Sequence, residues 1–228
     1  MKRIIEEEIE KLKEKLMHMG GLSEEMIRLA AKLFLERKEE LCREVFKYED
    51  EVNGLQMEVD EAVVKIIALY QPEASDLRTI MAAARINSEL ERIADQAVNI
   101  TQTSYYHLML ESPVDPMDIP EMADIAQNMV KDSLDAFTRK DVNLALKVLQ
   151  MDEKEDTLKS KTLGKIIRLI PINPEKSKQL IDMILIAKNF EKMGDHATNI
   201  AEDVIFMTIG KDIRHQHPQK DKNAALAS

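Results

Sequence analysis

The sequence predicts an all-α protein built as two pseudo-repeated antiparallel three-helix bundles, six long helices in all. Three observations carry that prediction. Helix formers dominate the 228 residues: Gly is 6, Pro 7, aromatics 4% and Trp 0, against 44% apolar and 32% charged residues, enough for a core with few breakers. Turn signals are sparse and cut the chain into long pieces. The second half repeats the first.

The first helix is expected at about 3–37, with Gly20-Gly21 read as a variation inside it. The second, at about 40–70, stops at Gln71-Pro72, because the residue before a proline is pushed out of the helical region. Within this stretch 47–50 is read as a turn. The third helix, at about 74–110, ends at the break 111–120, which carries Pro113, Pro116 and Pro120 and falls at the midpoint of the chain. The fourth, at about 118–139, and the fifth, at about 141–170, meet at a turn over Arg139-Lys140-Asp141. Pro171-Ile172-Asn173-Pro174 separates the fifth from the sixth, expected at about 174–210.

At an offset of 103, Met26 falls on Met129, Phe34 on Phe137, Leu41 on Leu144, Val45 on Val148, Glu49 on Asp152, Asn53 on Asp156 and Leu55 on Leu158. At an offset of 100, Glu91-Arg92-Ile93-Ala94-Asp95-Gln96-Ala97-Val98-Asn99-Ile100 falls on Glu191-Lys192-Met193-Gly194-Asp195-His196-Ala197-Thr198-Asn199-Ile200, with five identities in ten pairs. The three-residue change of offset belongs in the loop near Pro72, where length changes are tolerated best. Domains are therefore expected at 1–112 and 113–212, followed by a polar tail at 213–228 that holds His215 and His217. Each half buries the apolar stripes of three helices against one another.

Composition excludes several functions. A net charge of -10 and the lack of a basic stripe disfavour nucleic-acid binding. The longest apolar runs are five residues, as at 80–84 and 183–187, against the roughly 20 that span a bilayer, so no transmembrane helix is expected. The N-terminus runs from Met1-Lys2-Arg3-Ile4-Ile5 into Glu6-Glu7-Glu8 without a signal-peptide core, which places the protein in the cytoplasm. The single cysteine, Cys42, reads as a small core residue. Tyr105, Tyr106 and Phe206 read as packing residues. No Gly-rich phosphate loop, Ser/His/Asp set or Cys/His pair can be assembled, so catalysis is not expected.

The repeated decapeptide is the most specific feature of the chain. Glu91, Asp95 and Asn99 lie at i, i+4 and i+8, hence on one helix face, as do Glu191, Asp195 and Asn199. Two carboxylates at that spacing repel by a few tenths of a kcal/mol, and a cation would compensate in both halves. Glu49 and Asn53, matched by Asp152 and Asp156, place further oxygen ligands on a neighbouring helix, as di-metal carboxylate bundles do. Oxygen ligands suit hard cations: ferric iron, magnesium, manganese or calcium, with zinc also admissible. The Glu-x-x-His pair of the enzymatic di-iron bundles does not occur, and His196 is the only histidine beside either face. From spacing alone, a solvated acidic face paired with Lys and Arg accounts for the pattern as well, and Arg92 and Lys192 are adjacent. The flanking Ile93, Ala94, Ala97 and Ile100, with Gly194 and Ala197 in the second copy, favour a site between closely packed helices instead.

The stretch Gln71-Pro72-Glu73-Ala74-Ser75-Asp76-Leu77-Arg78, the two decapeptides and the ending Gly210-Lys211-Asp212-Ile213-Arg214-His215 resemble the PhoU family, accessory proteins of the high-affinity phosphate transport system. The resemblance covers about 5–215. It implies two three-helix bundles and a negative regulator of the phosphate-starvation response. It further implies an adaptor between the ATP-binding subunit of the phosphate ABC transporter and a sensor histidine kinase, reaching the membrane only through these partners. A homodimer is expected. Some family members hold multinuclear metal clusters on Glu/Asp-x-x-x-Asp motifs, which match Glu91 with Asp95 and Glu191 with Asp195. The second half departs from the pattern, offering Ser177-Lys178-Gln179 where the first has Asp76-Leu77-Arg78. Asn53 also stands where its repeat partner is Asp156, so the two metal sites are expected to differ in occupancy or affinity. Two other classes stay open: a carboxylate-bridged di-metal enzyme, and a metal-free helical scaffold.

Overall fold

The computed structural model describes residues 2–108 and 113–214. Its elements are α1 (Lys2–Glu36), α2 (Glu40–Tyr70), α3 (Ala74–Leu108), α4 (Ile119–Arg139), α5 (Val142–Leu169), a short 3₁₀ turn (Pro174–Lys176) and α6 (Ser177–Ile209). The sixth helix thus starts after a 3₁₀ turn, not at 174. The end of the third helix expected at 109–110 lies outside the described residues. The chain reverses at Arg37, Lys38 and Glu39, between the first two helices as expected, but the further turn expected at 47–50 does not exist: α2 runs straight through it. Charged residues at 47–50 imitate a turn in composition, but the buried Val45 and Val52 on either side keep the helical register.

Local chemistry explains the reversals. Arg37, Gln71 and Lys140 take the left-handed conformation (φ 57°, 45° and 52°) that ends a helix, and the amide N–H of each returns to a carbonyl in the last turn. Asp141 then caps α5, its side chain accepting from the amides of Asn143 (2.9 Å) and Leu144 (3.1 Å). Gly210 ends α6 at φ 69°, where a side chain would be strained.

Helices α1, α2 and α3 pack mutually as one bundle. In the other bundle α4, α5 and α6 do the same. The bundles meet through α3 against α6 and α1 against α4. Helices α3 and α6 run antiparallel, since Arg85 pairs with Asp203 and Glu89 with Asn199. The repeated decapeptides therefore cross each other at the middle of the molecule. Gly20 lies where α1 meets α4: a Cβ there would come within 2.3 Å of Leu134 Cδ1, so this glycine permits the approach of the two halves. Buried side chains from all six helices form one continuous core, with Phe137 and Phe190 fully inside it.

Candidate functional site

In the first half, α2 presents Glu49 and Asn53, both half-buried, one turn apart. The neighbouring α3 presents a half-buried Glu91 and an exposed Asp95. Glu49 lies within reach of the charge of Asp95 on that neighbouring helix. Partial desolvation and the charge of Asp95 both push the Glu49 carboxyl above its usual range. Desolvation and Asp95 likewise raise Glu91, with Arg92 and His196 opposing.

In the second half the charge is denser. Asp152 and Asp156 on α5 are half-buried, as is Glu191 on α6, and Asp195 lies at the solvent edge. Asp195 is pushed up to about 6, first by desolvation and then by the charges of Glu191, Asp152 and Asp156. The structure brings these four predicted residues together with a fifth that the sequence did not lead us to expect. Glu155 on α5 is fully buried (0% exposed), and neither carboxylate oxygen makes a hydrogen bond. Burial first, then Glu191, Asp152, Asp156 and Glu121, push it up to about 8. Its Cγ packs against Gly194, 3.5 Å from where a Cβ on that residue would stand. Lys159, also unforeseen, reaches from α5 to Glu191 and lies 3.9 Å from Asp156.

The donor set fits a hard cation. It is all oxygen, carboxylates together with the Asn53 amide, it repels itself, and in the second half it contains a buried acid with no protein partner. A metal bound here would be held by Asp152, Asp156, Glu191 and Asp195 in the second half, and by Glu49, Asn53, Glu91 and Asp95 in the first. Among the described residues no group of three or more Asp, Glu, His or Cys side chains is already gathered as a metal cage. Lys159, paired with Glu191, offsets part of the negative charge of the second face.

A third cluster lies on the seam between the bundles. Glu89 Oε2 accepts from His196 Nδ1 at 2.7 Å and from Asn199 Nδ2 at 3.1 Å. Arg92 stands 3.7 Å from the other oxygen of Glu89. Burial acts to raise the Glu89 carboxyl, but the bonds from His196 and Asn199 and the charge of Arg92 hold it below the usual range. His196 is thus beside the acidic faces, as expected, but engaged with a residue of the opposite half. Glu89 had no repeat signal, because its counterpart is Asn189.

Burial sorts the remaining residues singled out by the sequence. Cys42 is buried and free. Phe206 is half-buried beneath the Arg85 guanidinium, 5.8 Å from its ring centroid. Tyr105 and Tyr106 are not core residues: they are 38% and 59% exposed and stack edge to face on each other. They help line an open groove of about 580 Å³ between α2 and α3, together with Cys42, Arg43, Phe46 and Thr101. That groove shares no lining residue with either acidic face. No described helix is long and apolar enough to cross a membrane. His215 and His217 lie outside the described residues.

Comparison with known proteins places these features in a family. The model of the PhoU domain matches twice, over residues 16–103 and 119–204. The chain is 34% identical over 209 residues to the phosphate-specific transport system accessory protein PhoU homolog of Pseudomonas putida, covering 91% of this chain and 82% of the relative. It is 34% identical over 211 residues to the homolog of Aquifex aeolicus, covering 92% and 95%. The crystal structure of PhoU from Pseudomonas aeruginosa superposes with a TM-score of 0.87 at 32% identity, over 90% of this chain and 99% of that one. PhoU from Streptococcus pneumoniae, at 21% identity and a TM-score of 0.83, shares the fold. Each matched segment contains one acidic decapeptide and the greater part of the three-helix bundle around it, so the chain belongs, through both halves, to the PhoU family.

Proposed function

We propose that this protein is a non-enzymatic regulator of phosphate uptake that acts in the cytoplasm as an adaptor. Its partners are the ATP-binding subunit of the phosphate ABC transporter and the sensor histidine kinase of the phosphate-starvation response. It restrains the kinase when phosphate is plentiful, and it works as a homodimer. The observation that carries this reading is the double match to a family whose similar members are named accessory proteins of the phosphate-specific transport system. The acidic faces are cation sites of these bundles. A bound cation such as iron, manganese, magnesium or zinc would supply positive charge to both carboxylate sets. Held there, α2 and α3 in one half, and α5 and α6 in the other, present their surfaces in a fixed relation.

The test is genetic. Deleting the gene should leave phosphate-starvation genes expressed in phosphate-rich medium, with repression restored by the wild-type copy. Normal repression in the deletion strain would refute the regulatory role. A second reading, a metal-free scaffold, is favoured by one observation, the Lys159–Glu191 ion pair, which already neutralises part of the second face. Elemental analysis of the purified protein separates the two: a scaffold retains no metal at physiological salt.

A further inference from the structure

The second acidic face differs from the first in kind. The register that sets Asp152 on Glu49 and Asp156 on Asn53 also sets Glu155 on Val52 and Lys159 on Gln56. Val52 and Glu155 are both 0% exposed, so the fold has placed a carboxyl where its own first copy keeps a core valine. Both oxygens of that carboxyl lack a protein partner, an arrangement that costs stability unless something pairs with it. Glu155 sits beneath the α6 motif, packed on Gly194, and Glu191, Asp152 and Asp156 are the charges it feels most. The first half sets only Glu49, Glu91 and Asp95 together, with the neutral Asn53 and Val52 at the matching positions. Lys159 reaches Glu191 and Asp156 where the first half offers an uncharged glutamine.

We propose that the two acidic faces are unequal cation sites: the second, with Glu155 as a fifth and innermost carboxylate, binds a hard multivalent cation more tightly, and Lys159 is the ammonium that this cation displaces. The inference rests on the reading of both faces as cation sites. Charge count and burial are its physical basis. Five carboxylates against three draw a cation more strongly, and a site buried on one side screens that attraction less than an exposed one. Displacement of Lys159 sets the affinity below what the carboxylates alone would give.

The experiment is calorimetric titration of chelator-treated full-length protein with Mn²⁺, and separately with Zn²⁺. Wild type is compared with Glu155→Gln, Glu155→Val, Lys159→Met and the double variant Glu91→Ala/Asp95→Ala. Circular dichroism checks that each is folded. Wild type should show a tighter and a weaker class of sites. Glu155→Gln and Glu155→Val should each weaken the tighter class about tenfold or more, a loss of the size found when a group supporting a metal site is removed. Lys159→Met should tighten that class, and the double variant should leave it unchanged. If folded Glu155 variants bind as tightly as wild type, or if Glu91→Ala/Asp95→Ala abolishes the tighter class, the inequality is overturned while the cation reading stands. If neither metal binds to wild type or to Lys159→Met, the cation reading itself falls, and this inference with it.

Discussion

Glu155→Val places in the second bundle the residue that the first already uses, and metal-free protein should become more stable for it. Glu155 is fully buried, unpaired, and pushed up to about 8. At pH 7 the native state therefore keeps a proton that the unfolded chain, ionising near the ordinary 4.5, has released. At ~1.4 kcal/mol per pH unit, holding that proton costs about 3 kcal/mol at pH 7. The unpaired polar atoms add about 1–3 kcal/mol, and the smaller valine returns about 1 kcal/mol as lost packing. The net expectation is a gain of about 3–5 kcal/mol at pH 7. The sign with pH is set by the raised carboxyl. Between 4.5 and about 8 the native state binds one proton more than the unfolded state, so wild-type stability falls as pH rises through that window. The advantage of Glu155→Val should accordingly shrink by roughly 2–3 kcal/mol between pH 7 and pH 5. Urea unfolding of both proteins in chelator at pH 5, 7 and 8.5 measures it, with midpoints read at equal slope. A stability difference that does not change with pH, or a variant less stable than wild type at pH 7, would refute the account of Glu155 as an uncompensated buried acid.

Two further perturbations probe the contact between the halves. Gly20→Ala drives a Cβ toward Leu134 in a closed core, and the overpacking of roughly 1–3 kcal/mol should outweigh the helix-propensity gain of about 1 kcal/mol. Gly21→Ala meets nothing within 4 Å and should stabilise by about 0.5–1 kcal/mol; thermal midpoints that move the same way in both variants would contradict this packing. Glu89→Gln removes the carboxylate that receives His196 and Asn199 across the seam, at an expected loss of about 1–2 kcal/mol at pH 7. Because the Glu89 carboxyl is held below its usual range, its contribution is complete above the ordinary 4.5 and is lost as pH falls through the lowered value. Urea unfolding of wild type and variant should therefore converge in acid, and a constant difference would show that Glu89 acts by packing alone.

Most of the fold was legible because helix formation and bundle packing leave periodic, local marks. Proline and left-handed caps mark ends, and the helix bounds agree with the breaks at Gln71, Lys140 and Asn173 to within a few residues. The break between the first two helices lies where it was expected, at 37–39, whereas charged composition at 47–50 imitated a turn that the helix runs through. At the site, spacing alone set Glu91 with Asp95 and Glu191 with Asp195 on one face each. Repeat matching added Glu49, Asn53, Asp152 and Asp156, and the charges that raise Glu49 and Asp195 show that α2 meets α3 and α5 meets α6 along those faces. Glu155 left a mark that could have been read, since the same register sets it on a valine of an apolar stripe. Glu89 left none, because it acts on α6 in the other half of the chain, and Lys159 left none, because its reach to Glu191 depends on how α5 and α6 are turned against each other.

By itself, then, the sequence determined the helical class, the two-fold repetition and which carboxylates share a helix face, all of which follow from a 3.6-residue period and from identity between two stretches of one chain. Only the tertiary structure decided how the helices are turned against each other. That rotation buries Glu155 and sets Asp195 at the solvent edge, carries Lys159 to Glu191, and sets Glu89 of one bundle against His196 and Asn199 of the other. Such outcomes depend on the close fit of side chains between helices far apart in sequence, a property that no local pattern encodes.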